Sequence, residues 1–185
     1  MREPVEETLE TPLPSSAPRK PPLPVTLIAT ALGAGFLPVA PGTWGTLVAI
    51  PLAWALGRAG EPAFVAATLL ITLIGSWAAG AYCEASGRHD NQQIVIDEVA
   101  GYLVTLLAVP RAPAELVAGF ALFRIFDVWK PPPVRAIDRR VHGGFGVVAD
   151  DLAAGVYAGA LLALLHYAGA LAWLDSLAGR IGIPS

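Results

Sequence analysis

Apolar residues fill most of the chain from Val25 onward, and short polar segments and prolines interrupt them. Because such interruptions mark the ends of helices, they predict a series of separate helices. The predicted helices cover residues 43–57, 62–86, 94–109, 113–130 and 149–167. The earlier stretch from Val25 to Ala40 is broken by Gly33, Gly35 and Pro38, so it predicts a short or re-entrant helix.

The lengths of these helices indicate the class of protein. Several apolar runs are about 15–17 residues long, which at about 1.5 Å per residue gives about 24 Å. The hydrocarbon core of a bilayer is about 30 Å thick, so the polar helix ends would complete each crossing in the interfacial region. We therefore expect an all-α, polytopic membrane helical bundle with about four or five crossings.

Composition supports a membrane protein and divides the chain into two parts. Hydrophobic residues make up 55% of the 185 residues and charged residues 15%, whereas soluble domains carry about 25% charged residues. Residues 1–24, rich in Glu, Pro and Ser, predict a disordered N-terminal tail, and residues 25–185 predict one membrane-embedded domain. Charge and cysteine content exclude other features. The net charge of −3 and the lack of a basic stripe argue against nucleic-acid binding. The single cysteine excludes an internal disulfide.

Basic residues indicate how the bundle is oriented, since cytoplasmic loops carry an excess of Lys and Arg. If all five predicted helices cross, the tail and the loops at 87–93 and 131–148 share one side. Most of the basic residues lie on that side, which we therefore expect to be cytoplasmic. They are Arg2, Arg19, Lys20, Arg88, Lys130, Arg135, Arg139 and Arg140.

Six carboxylates gather on the same side of the predicted bundle. They are Asp90, Asp97, Glu98, Asp127, Asp150 and Asp151. The helix dipole favours a carboxylate at a helix start, but it explains neither the two adjacent pairs nor Asp127 near the end of its helix. Adjacent carboxylates repel each other unless a cation neutralises them, and ligand sets made only of oxygen suit Mg²⁺. The cluster therefore predicts a Mg²⁺ site.

A second pattern combines this acidic cluster with cations. Arg124, Asp127 and Lys130 are spaced i, i+3 and i+6, which places them on one broad face of a helix. A carboxylate flanked by two cations can bind a metal ion while the cations hold a phosphate. The alternative is an intramembrane ladder of salt bridges with no ligand.

Small residues near the cluster have two possible roles. Gly143, Gly144 and Gly146, in a loop expected before the last helix, could offer backbone N–H groups to an anion, or could serve a tight turn only. Thr43 is expected to cap the helix that follows it.

Other polar residues near the cluster suggest less. His89 and His142 are candidate acid–base groups or simply solvated loop residues. Glu84 and Arg88, four residues apart, are expected to form an ion pair at a helix end. No nucleophile motif of a known covalent hydrolase is present, which favours a metal-activated water.

Four motifs in order resemble those of the phosphatidylglycerophosphatase A family. The first is Gly33–Pro38 followed by Pro41–Thr46, and the second is His89–Asp90 followed by Ile94–Glu98 and Gly101. The third is Phe123–Pro131, and the fourth runs from Gly143 through Asp150–Asp151 to Gly155. The resemblance covers residues 25–167.

The resemblance implies a Mg²⁺-dependent phosphatase of the bacterial cytoplasmic membrane, with its active site facing the cytoplasm. Such an enzyme converts phosphatidylglycerophosphate to phosphatidylglycerol and inorganic phosphate by metal-assisted attack of water. The candidate metal ligands or water activators are Asp90, Asp97, Glu98, Asp127, Asp150 and Asp151. The candidate phosphate or substrate binders are Arg124, Lys130, Arg139, Thr43, Gly143 and Gly144, with Lys130 also a candidate in catalysis.

Two other classes of function fit parts of the pattern. A cation transporter or channel would have a carboxylate-lined site, but it predicts acidic residues spread through the membrane depth or broken helices at the midplane. A non-catalytic membrane scaffold gives no reason for paired carboxylates beside Arg and Lys. The expected partners are a phospholipid substrate and the lipid bilayer.

Overall fold

The structure, a computed structural model, describes residues 19–88, 91–132, 134–135 and 143–172. Every regular element in these ranges is helical, which confirms the all-α class. The helices are α1 (Leu23–Ala29), α2 (Pro41–Arg58), α3 (Glu61–Ser86), α4 (Ile96–Thr105), α5 (Pro113–Trp129) and α6 (Gly143–Tyr167), with a 3-10 turn at Ala34–Phe36. The short α1 and the turn occupy the stretch expected to hold a short or re-entrant helix.

Proline and left-handed residues set most helix ends. Helices α2, α3 and α5 carry proline in their first two positions, where its missing N–H costs no hydrogen bond. Helix α3 ends at Gly87, whose φ is 67°. Helix α5 ends at Lys130 with a φ of 47°, and Pro131 follows it.

Three predicted helices have wrong boundaries. Helix α2 begins at Pro41, so Thr43 lies inside its first turn and does not cap it. Helix α4 is only Ile96–Thr105, so it starts two residues later than predicted and gives way to turns before Pro110. Helix α6 starts at Gly143, so the glycines expected in a loop form its first turn.

Two helices are long and apolar enough to cross a membrane among the described residues. They are α3, with 26 residues, and α6, with 25 residues. Helix α4 has 10 residues, about 15 Å at about 1.5 Å per residue, or roughly half of a hydrocarbon core. The described structure thus has two candidate spans, and the four or five crossings stay a prediction.

Helices α4 and α6 run side by side in the same direction and touch through glycine. A Cβ atom at Gly101 would lie 2.6 Å from the backbone carbonyl oxygen of Asp151, and one at Gly155 would overlap the carbonyl oxygen of Gly101. One turn further, a Cβ atom at Gly159 would lie 3.0 Å from the carbonyl oxygen of Thr105. Small residues at these positions let the two backbones approach closely. The first turn of α4 therefore lies beside the second turn of α6.

Two polar pairs tie the helices together where α3 and α5 begin and α6 ends. Arg111 binds Glu61 and places its guanidinium 3.8 Å from the centre of the Phe64 ring. His166 Nδ1 lies 2.7 Å from Oε1 of Glu115, a carboxylate that is 2% exposed. These pairs lie at the opposite helix ends from the acidic residues of α4 and α6.

Candidate active site

A cavity of about 1010 Å³ lies where the first turns of α2, α4 and α6 meet the last turns of α3 and α5. Its charged lining contains five of the predicted carboxylates and both of the predicted helix cations. The charged lining residues are Glu84, Asp97, Glu98, Arg124, Asp127, Lys130, Asp150 and Asp151. The cavity therefore collects charged residues that are as much as 67 positions apart in the sequence, from Glu84 to Asp151.

Three carboxylates form the centre of this cavity. Asp97, Glu98 and Asp151 each offer one oxygen, and these oxygens all lie within 4.8 Å of one another. Glu98 Oε2 and Asp151 Oδ2 are buried and have no hydrogen-bond partner among the described residues. A buried carboxylate oxygen without a partner is costly. A bound cation would satisfy both oxygens, so the donor set fits Mg²⁺.

The surroundings of the two α4 carboxylates disfavour their charged forms. Burial, and next the charge of Glu98, raise the pKa of Asp97 well above its usual range. Burial also raises the pKa of Glu98, although the nearby Arg124 opposes this shift. Asp97 Oδ1 accepts a hydrogen bond from the backbone N–H of Glu98 at 3.0 Å. The two neighbours thus share one polar turn at the start of α4.

Arg124 links α5 to the acidic centre. Its Nη1 lies 2.5 Å from Asp127 Oδ2 and 3.9 Å from Glu98 Oε1. Gly42, in the first turn of α2, backs directly onto the same Glu98 carboxylate, because a Cβ atom there would overlap Oε1. Helices α2, α4 and α5 therefore meet at Glu98.

Lys130 links the end of α5 to α6. Its Nζ lies 2.5 Å from Oδ2 of Asp150, twenty positions later in the chain. The Asp150 side chain is 8% exposed and that of Lys130 29%. The three residues spaced i, i+3 and i+6 on α5 thus join two carboxylates on different helices through two cations.

The structure brings most of the predicted site residues into one place. Gly143 and Gly144 line the cavity with the charged residues above, whereas Thr43 does not, because the chain presents Gly42 there instead. Asp90 and Arg139, and the histidines at 89 and 142, lie outside the described residues.

Glu84, Asn91 and Gln92 are among the lining residues that were not predicted as part of the site. The expected ion pair between Glu84 and Arg88 is not formed between these described residues, and Glu84 lines the cavity instead. Asn91 also lines it. Glu84 lies on α3, close to where Gly144 packs against Gly80, and this tertiary contact has no local sequence pattern.

Comparison with known proteins decides the family. A family model described as phosphatidylglycerophosphatase A matches residues 27–166. The chain belongs to the phosphatidylglycerophosphatase A family. Membership identifies it as a phosphatase of phospholipid metabolism, and the matched region contains every charged residue of the cavity named above.

Curated relatives of this family member come from bacteria. Phosphatidylglycerophosphatase A of Escherichia coli is 39% identical over 137 residues, covering 74% of this chain and 80% of the relative. Its Haemophilus influenzae namesake is 36% identical over 146 residues, covering 78% and 90%. A Bacteroides thetaiotaomicron protein named "Putative phosphatidylinositol-3-phosphatase" is 42% identical over 153 residues, covering 78% and 94%. No solved structure is significantly similar to the chain.

Proposed function

We propose that this protein is a Mg²⁺-dependent lipid phosphatase that hydrolyses phosphatidylglycerophosphate to phosphatidylglycerol and inorganic phosphate. It would act in the bacterial cytoplasmic membrane, with its cavity facing the cytoplasm. The observation that carries the proposal is the group of three carboxylates, Asp97, Glu98 and Asp151, beside two cations in one cavity. The names of two relatives support the choice of substrate.

The donor set supports Mg²⁺ as the cofactor. Asp97, Glu98 and Asp151 would hold the ion, since each offers an oxygen to one group, and Glu98 and Asp151 each have a buried oxygen without a hydrogen-bond partner among the described residues. Asp127 and Asp150 already bind Arg124 and Lys130. When bound, Mg²⁺ supplies positive charge to the phosphoryl oxygens and acidifies a coordinated water.

The side chains around the carboxylates have separate tasks in this proposal. Both ion pairs of Arg124 use Nη1, so its other N–H groups can donate to the phosphoryl oxygens. Lys130 adds a second positive charge on the same cavity wall. Because Asp127 Oδ2 binds Arg124, Oδ1 is the oxygen to which we assign the proton of the attacking water. The P–O bond to the glycerol oxygen would then break, and that oxygen would take up the proton as it leaves. The cations stabilise the negative charge that the phosphoryl group carries in the transition state.

The position of the cavity suits a lipid substrate. It lies at the last turns of α3 and the first turns of α6, the two candidate spans, and not midway along them. A lipid phosphate lies in the headgroup layer while its acyl chains stay in the bilayer, so a cavity at helix ends can meet both. The excess of basic residues in the loops on this side supports a cytoplasmic orientation.

Phosphate release tests the proposal directly. The full chain would be assayed with phosphatidylglycerophosphate in uncharged detergent micelles, with Mg²⁺ or with EDTA. We expect release with Mg²⁺ only, and a loss of about 100-fold or more in Asp151→Asn. Glu115→Gln is a matched control, because Glu115 is also a buried carboxylate with a partnerless oxygen but lies at the opposite helix ends.

The outcomes separate this reaction from related ones. No release by folded wild type with Mg²⁺ would refute the assigned reaction. Phosphatidylinositol 3-phosphate and phosphatidate would then be tried, the first because a relative carries that substrate in its name. Equal losses in Asp151→Asn and Glu115→Gln would remove Asp151 from the site and point to a general loss of folding.

A further inference from the structure

A second, smaller cavity of about 380 Å³ lies beside the carboxylate cavity. Its walls carry three cations and several neutral polar groups, and no carboxylate is among the described residues that line it. The lining residues that matter here are Arg19, Lys20, Arg88, Tyr82, Asn91 and Gln93. We refer to it as the basic cavity. Its charge is opposite to that of the three-carboxylate centre next to it.

The basic cavity is built from segments that are far apart in the sequence. The backbone N–H of Arg19 donates a 2.8 Å hydrogen bond to the carbonyl oxygen of Ala85, which fixes the segment before α1 on the last turn of α3. Arg88 follows Gly87, the left-handed residue that ends α3. The chain thus brings the cations before α1 and after α3 to one place.

Neutral groups complete the wall with defined orientations. The Tyr82 hydroxyl donates to Gln93 Oε1 at 2.8 Å, and the Gln93 backbone N–H donates to Asn91 Oδ1 at 3.1 Å. Because Gln93 Oε1 is the acceptor here, its side-chain nitrogen can only donate elsewhere. Tyr82 is only 4% exposed, so this part of the wall is buried and held by α3. The neutral wall therefore adds amide donors to the three cations.

The two cavities are neighbours with different chemistry. Asn91 lines both of them. The carboxylate cavity suits a phosphate together with a divalent cation, whereas the basic cavity suits an anion without one. Phosphatidylglycerophosphate carries two phosphates, a terminal monoester and a phosphodiester that joins the headgroup to the diacylglycerol. A short glycerol separates them, so one molecule can place them in adjoining cavities.

We infer that the basic cavity binds the phosphodiester of the lipid substrate while its terminal phosphomonoester enters the carboxylate cavity. Arg19, Lys20 and Arg88 then determine which lipids are preferred. They favour lipids that carry both a phosphomonoester and a phosphodiester over phosphatidate, which has no phosphodiester. The inference rests on the proposed lipid phosphatase function. Arg19 and Lys20 precede residue 27, where the family match begins, so these two cations lie outside the matched region.

Product inhibition tests this inference, because each product keeps only one of the two phosphates. Phosphatidylglycerol retains the phosphodiester, and inorganic phosphate derives from the monoester. The full chain with Arg19→Gln, Lys20→Gln and Arg88→Gln combined would be compared with wild type in uncharged detergent micelles. We expect the KM for phosphatidylglycerophosphate and the Ki for phosphatidylglycerol to rise about tenfold, since exposed charge contacts are individually weak. The Ki for inorganic phosphate should stay unchanged.

The controls isolate the cavity from general effects. All three cations are exposed, so glutamine should be tolerated there, and thermal unfolding of the variant checks this. Arg58→Gln is the control for Arg88→Gln alone. It removes an exposed cation at the other end of the bundle, and it should change none of the constants. Higher ionic strength should raise the KM of wild type more than that of the triple variant.

Each contrary outcome has a distinct meaning. Suppose that wild type releases phosphate and that the triple variant has the same KM and the same Ki for phosphatidylglycerol as wild type. This result would refute the inference but not the proposed function. A rise in all three constants would also refute it, because the cations would then act on the carboxylate cavity. Activation by added phosphatidylglycerol that the variant loses would assign the cavity to a neighbouring bilayer lipid instead. No release by wild type would refute both proposals.

Discussion

Gly101 on α4 lies directly against the backbone carbonyl oxygen of Asp151 on α6. One turn further along α6, Gly155 lies in the same way against the carbonyl oxygen of Gly101. The carboxylates of Asp97 and Asp151, which each precede one of these glycines by four residues, are thereby brought together. Their charges repel each other, so the backbone packing and not their own attraction keeps them close.

Widening this helix contact should separate the two halves of the acidic centre. In Gly155→Val, the added side chain would overlap the Gly101 carbonyl oxygen and push α4 from α6. Overpacking of this kind costs about 1–3 kcal/mol, and we expect Mg²⁺-dependent phosphate release to fall about tenfold or more. Ala160→Val adds bulk at an exposed position of the same helix and should leave the rate unchanged. Full activity in a stable Gly155→Val protein would contradict this role of the contact.

One oxygen of Glu98 has no hydrogen-bond partner among the described residues, which leads to a prediction about metal binding. The prediction can be tested without measuring enzyme activity. Glu98→Gln removes one charge and one oxygen ligand from the centre. In wild type, Mg²⁺ at about 100 times its Kd should raise the free energy of unfolding by about 2.7 kcal/mol. The variant should lose most of this gain, because an amide is a weaker Mg²⁺ ligand than a carboxylate. Thermal unfolding with Mg²⁺ and with EDTA measures both states.

The same unfolding experiment without Mg²⁺ should give a different result for the Glu98 variant. In EDTA, Glu98→Gln should unfold at a temperature no lower than wild type, since the substitution relieves the repulsion between Asp97 and Glu98. The pair with Arg124 spans 3.9 Å, and Arg124 keeps its closer ion pair with Asp127 in the variant. A variant that keeps the whole Mg²⁺-induced gain would show that Glu98 is not a ligand.

We expect that neither a neutral side chain nor a lysine at position 124 supports the full activity that Arg124 supports. Its guanidinium holds Asp127 and faces Glu98 while presenting further N–H groups. Hydrogen bonds to charged groups contribute about 1.5–3 kcal/mol, so Arg124→Gln should lower kcat/KM for phosphatidylglycerophosphate by about 10- to 150-fold. Arg124→Lys should recover only part of the loss, because a lysine ammonium cannot bind two partners in a planar fork.

A double variant tests whether the arginine acts through Asp127. If Arg124 mainly orients that carboxylate, Arg124→Gln combined with Asp127→Asn should be little worse than Asp127→Asn alone. Fully additive losses would indicate that the two residues act independently, and would favour direct contact of Arg124 with the phosphate. Steady-state kinetics on all four proteins gives the coupling.

The sequence predicted the helical class from local patterns, and it predicted the acidic cluster from the helix ends that share one side of the predicted bundle. Prolines at 41, 62, 113 and 131 mark helix ends through their missing N–H, and the structure has helix ends beside each of them. Asp97 and Glu98 do lie in the first turn of a helix. Residues on one helix, such as Arg124 and Asp127, pair as their spacing indicates.

Contacts between segments that are far apart in the sequence could not be predicted from local patterns. Glycines at 143, 144 and 146 favour a loop locally, yet they begin α6, because Gly144 packs against the backbone of Ser76 and Gly80 on α3. Lys130 pairs with Asp150 across twenty positions. The basic cavity depends on Arg19 meeting Ala85, in a segment that composition alone assigned to a disordered tail.

The helix ends that lie opposite the carboxylate cavity should contribute to stability but not to the reaction. Arg111 is held there between the Phe64 ring and the Glu61 carboxylate, and its side chain is only 9% exposed. A guanidinium stacked on an aromatic face and removed from water contributes about 0.5–2 kcal/mol. The ion pair contributes less, about 0–1 kcal/mol, because the Glu61 side chain is 55% exposed.

Two substitutions separate these contributions. Arg111→Ala should lower the unfolding temperature more than Glu61→Gln does, since only the first removes the contact with Phe64. Both variants should keep the wild-type KM and kcat for phosphatidylglycerophosphate, because neither residue lines the carboxylate cavity. Equal losses of stability would mean that the ion pair dominates over the aromatic contact. A change in KM without loss of stability would mean that this end of the bundle communicates with the cavity through α3 and α5.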